Sequence, residues 1–149
     1  MNLGLAYEQQ RDLARAVDQY RRAVRMAPAK AGPHAALGHA LAGLGQSDAA
    51  VREFQEALRL QPEFALAQVG LGEVFAARGQ SDVALAHFSE AVRLQPGLDL
   101  ARVRLGMALG ARGDIEGGAT QLREALRINP GNQDARNALA MLATRGGIR

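Results

Sequence analysis

Pro28, Pro62, Pro96 and Pro130 stand thirty-four residues apart. Aligned on that interval, other positions fall into columns. One reads Leu3, Leu37, Leu71, Leu105, and the next Gly4, Gly38, Gly72, Gly106. Further on come Ala16, Ala50, Ala84 and Gly118, then Tyr20, Phe54, Phe88 and Leu122, then Ala23, Ala57, Ala91 and Ala125. A chain that returns its small, aromatic and proline positions at one step builds a single supersecondary unit several times over. It stacks the copies because no copy buries its apolar face alone.

Each unit carries two stretches of helical periodicity, as in Leu37, Leu41 and Leu44 followed by Val51, Phe54 and Leu58. The spacing predicts first helices over about 1–10, 31–43, 65–78, 99–112 and 133–144, and second helices over about 11–25, 47–59, 81–93 and 115–127. Turn signals separate the members of each pair: Gly45-Gln46-Ser47-Asp48, Gly79-Gln80-Ser81-Asp82 and Gly113-Asp114. In the first two, Ser and Asp stand where a helix start favours a cap and a negative charge. Each proline lies just past a second helix, where it stops the helix. Gly117-Gly118 weakens the start of the last second helix and makes that unit the softest.

These columns resemble the tetratricopeptide repeat. Its pattern is an aromatic, Leu-Gly, a large apolar residue, a small residue, an aromatic and a proline. From Leu-Gly onward, the unit Leu71-Gly72, Phe75, Ala84, Phe88, Ala91, Pro96 fills the slots. The leading Trp slot departs from the pattern and holds His34, Gln68, Arg102 and Arg136. The resemblance implies an all-α fold, an α-solenoid of stacked antiparallel helix pairs wound as a right-handed superhelix. It implies one domain over 1–145, with units at about 1–30 (truncated at its start), 31–64, 65–98 and 99–132. A polar capping helix at about 133–144 and a tail at 146–149 complete the division. The short first unit points to a piece of a longer array.

Chemistry of catalysis is not written in this chain. It has no Cys, and His34, His39 and His87 form no HExxH-type ligand pair. No GxSxG elbow or phosphate-cradling loop occurs, so no enzyme, metal or cofactor is expected. No run of eighteen apolar residues predicts a membrane helix, and the N-terminus does not read as a secretory signal. The compartment stays open, with a cytoplasmic reading preferred to a periplasmic one. Eighteen Lys and Arg against fifteen Asp and Glu leave a net charge of +3, and the signs interleave. That argues against a nucleic-acid arm. Arg25, Arg59, Arg93 and Arg127 recur once per unit, and Glu56, Glu90 and Glu124 stand three residues before the last three. These are expected to be helix-surface ion pairs rather than an anion-binding stripe.

The resemblance places ligand contacts in the concave groove lined by first helices. Its implied lining is Leu5, Ala35, His39, Ala42, Leu66, Val69, Glu73, Ala76, Leu100, Val103 and Met107. The family's carboxylate clamp of Lys, Asn and Arg is missing, since Leu5, Ala36, Leu66 and Gly70 stand there. The asparagine ladder of another branch is missing too: its slot reads Asn2, Ala36, Gly70, Arg104. A groove of Ala and Gly edged by Val, Leu and Met suits a peptide or amphipathic helix of a protein partner. His39 and Glu73, equivalent slots of adjacent units, are expected to be neighbours there. The alternatives are a self-assembly module joined through unit ends and, further off, a nucleic-acid-binding helical repeat. Similar Ala- and Arg-rich arrays look like those of bacterial proteins.

Overall fold

The structure, a computed structural model, describes residues 2–10 and 12–146, the side chains of residues 2, 3 and 146 excepted. Among the described residues it is all helix: α1 (Asn2–Gln9), α2 (Leu13–Met26), α3 (Ala31–Gly43), α4 (Ser47–Leu60), α5 (Ala65–Ala77), α6 (Ser81–Leu94), α7 (Asp99–Ala111), α8 (Ile115–Ile128) and α9 (Gln133–Gly146). Each helix packs on the next in sequence, and α3, α5, α7 and α9 also touch in series. The result is an α-solenoid whose first helices line one side. Second helices run a residue past the predicted ends, and α9 continues through Gly146. Met1 and residues 147–149, with most of the expected tail, lie outside the described residues.

Local chemistry explains where helices stop. After α3 the backbone of Gly45 turns to φ +75°, and Gln46 N–H reaches the Leu41 carbonyl (2.9 Å) while Gly45 N–H reaches that of Ala42 (2.9 Å). This is a Schellman close, and it needs a left-handed residue that glycine supplies without strain. Gly79 and Gly113 do the same after α5 and α7. Second helices end differently. Gln61 and Asn129 adopt extended φ/ψ, and Gln95 lies near them at φ -137°, ψ 83°, because the proline that follows each bars the helical region. The proline then opens a turn, closed by Phe64 N–H to Gln61 (3.2 Å), Leu98 N–H to Gln95 (3.0 Å) and Asn132 N–H to Asn129 (3.0 Å).

The caps differ from expectation. Ser47 and Ser81 do not cap: they are already the first helical residues, and Gln46 and Gln80 precede them with no side-chain cap bond. Asp48 and Asp82 reach instead to the following unit, pairing with Arg78 (2.6 Å) and Arg112 (3.1 Å). Side-chain caps are made by Asp12 at α2 and Asp114 at α8, each accepting from an N–H three residues on.

Packing turns on the glycine column. A Cβ at Gly38 would stand 2.8 Å from the Phe54 ring, and one at Gly72 2.4 Å from the Phe88 ring. Gly4 faces Tyr20 in the same way, at 2.5 Å. The rings of Tyr20, Phe54 and Phe88 therefore occupy the space a side chain on the first helix would take. Phe54 is also pressed by Gly70 of the following unit (2.3 Å to a Cβ there) and is fully buried. In the last unit Leu122 replaces the ring, and the helices close further. A Cβ on Gly118 would stand 2.7 Å from the Gly106 carbonyl oxygen. Gly118 is thus a close-approach residue, which its low helix propensity concealed.

The unorthodox Trp slot is occupied by polar side chains with a shared task. His34 bonds Glu53 (2.7 Å), Gln68 bonds His87 (2.7 Å) and Arg102 bonds Gln121 (2.9 Å), each nineteen residues on in the paired second helix. His34 and Arg102 also meet the carbonyls of Pro28 (3.1 Å) and Pro96 (2.9 Å), and Arg136 meets that of Pro130. Where a Trp would fill volume, these groups tie the pair together and close its entry turn.

Alanine at Gly72 or Gly118 should lower unfolding free energy by about 1–3 kcal/mol, because the ring or carbonyl it meets is buried and cannot withdraw. Alanine at Gly32, which has open space around it, should raise it by up to about 1 kcal/mol through helix propensity. Urea unfolding of the three variants checks the order.

Candidate functional site

The side lined by the first helices carries three hollows in series. The first, about 280 Å³, is bounded by Leu5, Glu8, Tyr20, His39, Phe64 and Leu66. The second, about 420 Å³, lies among Glu73, Ala76, Phe88, Arg104, Met107 and Ala111. The third, about 180 Å³, lies between Met107, Ala111, Ala138, Met141 and Leu142. Met107 and Ala111 are shared by the last two, so those form one run of surface.

The sequence-derived lining divides in two. Leu5, His39, Leu66, Glu73, Ala76 and Met107 border hollows and keep solvent exposure, whereas Ala42 and Leu100 border none of the three. Val69 is fully buried, Val103 is 1% exposed and Ala35, at the wall of the first hollow, 4%. Val69 and Val103 correct the expectation that their column offers a ligand surface, while Ala35 still borders a hollow. Val69 shares a buried cluster with Ala101 and Leu105 of α7, Val103 with Ala135, Ala138 and Leu142 of α9, and Ala35 with Ala67 and Leu71 of α5. The column closes the seam between consecutive first helices.

Several site residues escaped the spacing argument. Tyr20 belongs to the aromatic core column, but its hydroxyl emerges at the floor of the first hollow and donates to Glu8 (3.0 Å). Arg104, in the slot expected of a ladder asparagine, donates to Glu73 (2.6 Å). Phe64 comes from the turn after Pro62. A polar atom on only one member of the ring column was the available signal for Tyr20. A contact such as Glu73–Arg104 leaves no local signature.

His39 and Glu73 do not form a pair. Glu73 is taken by Arg104, and the His39 ring stands edge-on to Phe54, centroids 4.9 Å apart. Burial holds the His39 imidazole below its ordinary value of 6.5, although the nearby Glu73 and Glu8 carboxylates pull the other way. Burial also lowers His87, which stacks on Phe75 (5.4 Å) and bonds Gln68. The expected surface pairs Glu56–Arg59 (2.7 Å), Glu90–Arg93 (2.6 Å) and Glu124–Arg127 (2.7 Å) are all formed. Hydrogen bonds from these arginines hold the three carboxyls below the usual range.

A linkage follows for the two histidines. Folded, they resist protonation; unfolded, they take up a proton near 6.5. The unfolded state binds more protons between their lowered values and 6.5, so stability falls as pH drops from 7 toward 5. The depressed carboxyls stay charged in that window. Urea midpoints at pH 7 and pH 5 should show the loss in the wild type and a flatter response in a His39→Met, His87→Gln double variant. An equal loss in both proteins would refute the assignment.

A family model described as Tetratricopeptide repeat matches residues 1–31, 35–99 and 103–148. No curated protein matches the sequence at a significant level. Among solved structures the chain is similar to residues 41-end of MamA from Desulfovibrio magneticus RS-1 (TM-score 0.76, 23% identity, 98% of this chain and 82% of that one). It is similar to the first TPR of Spaghetti (RPAP3) bound to the HSP90 peptide SRMEEVD (0.74, 20%, 79% and 94%). It is similar also to YrrB, a TPR protein with an unusual peptide-binding site (0.69, 23%, 100% and 77%). At these identities the likeness is one of fold. With the family model spanning nearly the whole sequence and the helix pairs stacked as its repeat requires, the chain belongs to the tetratricopeptide repeat family.

Proposed function

We propose that this chain is a protein-interaction scaffold that holds a peptide or amphipathic helix of a partner in its concave groove. One observation carries the reading. Leu5, Leu66, Met107 and Met141 are four of the seven exposed large apolar side chains among the described residues, and all four border the concave hollows. Apolar exposure gathered on a concave face marks a binding surface, and unbranched Met adapts to irregular ligands. The peptide-bound RPAP3 structure and the peptide-binding site of YrrB support the same use of this fold.

The charges favour a protein ligand over nucleic acid. Arg15, Arg21, Arg59, Arg78, Arg93, Arg104, Arg112 and Arg127 are each engaged by a carboxylate, and the net charge is only +3, which weakens attraction for phosphates.

Peptides selected from a displayed random library against the wild-type chain provide the test. Leu66→Asp and Met107→Asp should each weaken the selected peptides at least about tenfold, since a carboxylate in an apolar contact leaves a desolvated charge. Met26→Asp, at a position 86% exposed and outside the hollows, should leave binding unchanged. Fluorescence anisotropy reads the affinities. Peptides indifferent to both groove substitutions would refute the groove.

A further inference from the structure

The first hollow differs from the rest of the groove in one respect. In the column Glu8, Ala42, Ala76, Gly110 only the first member is charged, and in the column Tyr20, Phe54, Phe88, Leu122 only the first has a hydroxyl. The two exceptions meet. Tyr20 is 1% exposed, with its ring against the Gly4 backbone, and its hydroxyl donates to Glu8 Oε2 at 3.0 Å. A group held by a buried ring cannot wander, so the carboxylate is positioned before any ligand arrives. Among the described residues the lining of the first hollow includes Glu8 and no arginine or lysine, whereas Glu73 in the second hollow is neutralised by Arg104 at 2.6 Å. Apolar Leu5, Leu66 and Phe64 border the same hollow, with exposures of 49% and 38% for the two leucines.

We infer that the first hollow is a subsite for a lysine or arginine side chain, carried between apolar residues of the segment that the groove binds. The inference rests on the groove reading above and specifies the ligand's chemistry. Both ends of such a side chain are matched. Its methylene stem covers Leu5 and Leu66, and its cationic head meets Glu8. Burial lowers the pKa of His39 at the hollow's wall, so its imidazole does not compete as a cation at neutral pH. Tyr20 stays protonated as a donor, since burial and the Glu8 carboxylate both raise its pKa. The sign is opposite to that suited to an acidic tail such as SRMEEVD, the peptide carried by RPAP3.

The test uses fluorescein-labelled peptides from the same selection on the whole chain. The enriched sequences should share a Lys or Arg flanked by apolar residues. Glu8→Gln should weaken the best of them roughly tenfold, and replacing the peptide's basic residue by Met should cost a similar factor. The two losses should not multiply when combined, the mark of a direct contact. Tyr20→Phe, which installs the ring already used at Phe54 and Phe88 and so preserves folding, should give a smaller loss in the same direction. Peptides that lose affinity with Leu66→Asp but ignore Glu8→Gln would overturn the basic subsite and leave the groove standing. Failure to enrich any peptide, or indifference to both substitutions, would overturn the two together.

Discussion

A ring lying on a bare backbone is the contact on which this structure depends. Gly4, Gly38 and Gly72 present Cα atoms with no Cβ, and Tyr20, Phe54 and Phe88 occupy the space that a side chain would have claimed. The close approach adds dispersion contacts, and burying each ring contributes roughly 1.5–3 kcal/mol. The same contact sets the distance between paired helices and, through Gly70 against Phe54, the distance between neighbouring units. It also aims the ring's far edge at the groove floor. In the first unit that edge carries a hydroxyl, and a packing rule thereby places a hydrogen-bond donor beside Glu8.

Polar groups do the complementary work of fixing register. Side chains nineteen residues apart join the helices within a unit, and ion pairs such as Asp48–Arg78, Asp82–Arg112 and Glu73–Arg104 join consecutive units. Apolar stacking alone resists sliding poorly; a set of directional bonds at matched offsets adds a preference for one alignment. Arg78, Arg102, Arg104 and Arg112 are used in this way.

Much of the fold was legible because its causes are local. Glycine at the Schellman position and proline after an extended residue act on their own neighbours, so α3, α4 and α6 end within a residue of where the pattern puts them. The Glu–Arg pairs three apart were equally readable. The Ser47 and Ser81 caps failed at the scale of one residue, since the Schellman close carried the chain to Gln46 and Gln80 before the helix began. The groove was legible only in part. Val69 and Val103 sit on the side of the first helix expected to face a ligand, yet the next first helix covers them.

The sequence by itself determined the unit, its two helices, its thirty-four-residue step and the small and aromatic positions that must meet, because all of these follow from periodicity and nearest-neighbour sterics. Only the tertiary structure decided which groove positions reach solvent, that Arg104 neutralises Glu73 across thirty-one residues, and that Tyr20 holds Glu8 across twelve. Exposure and hydrogen bonding between separate helices depend on the rotation and separation of those helices. Both are set by the sum of side-chain volumes along the stack, which no single segment carries.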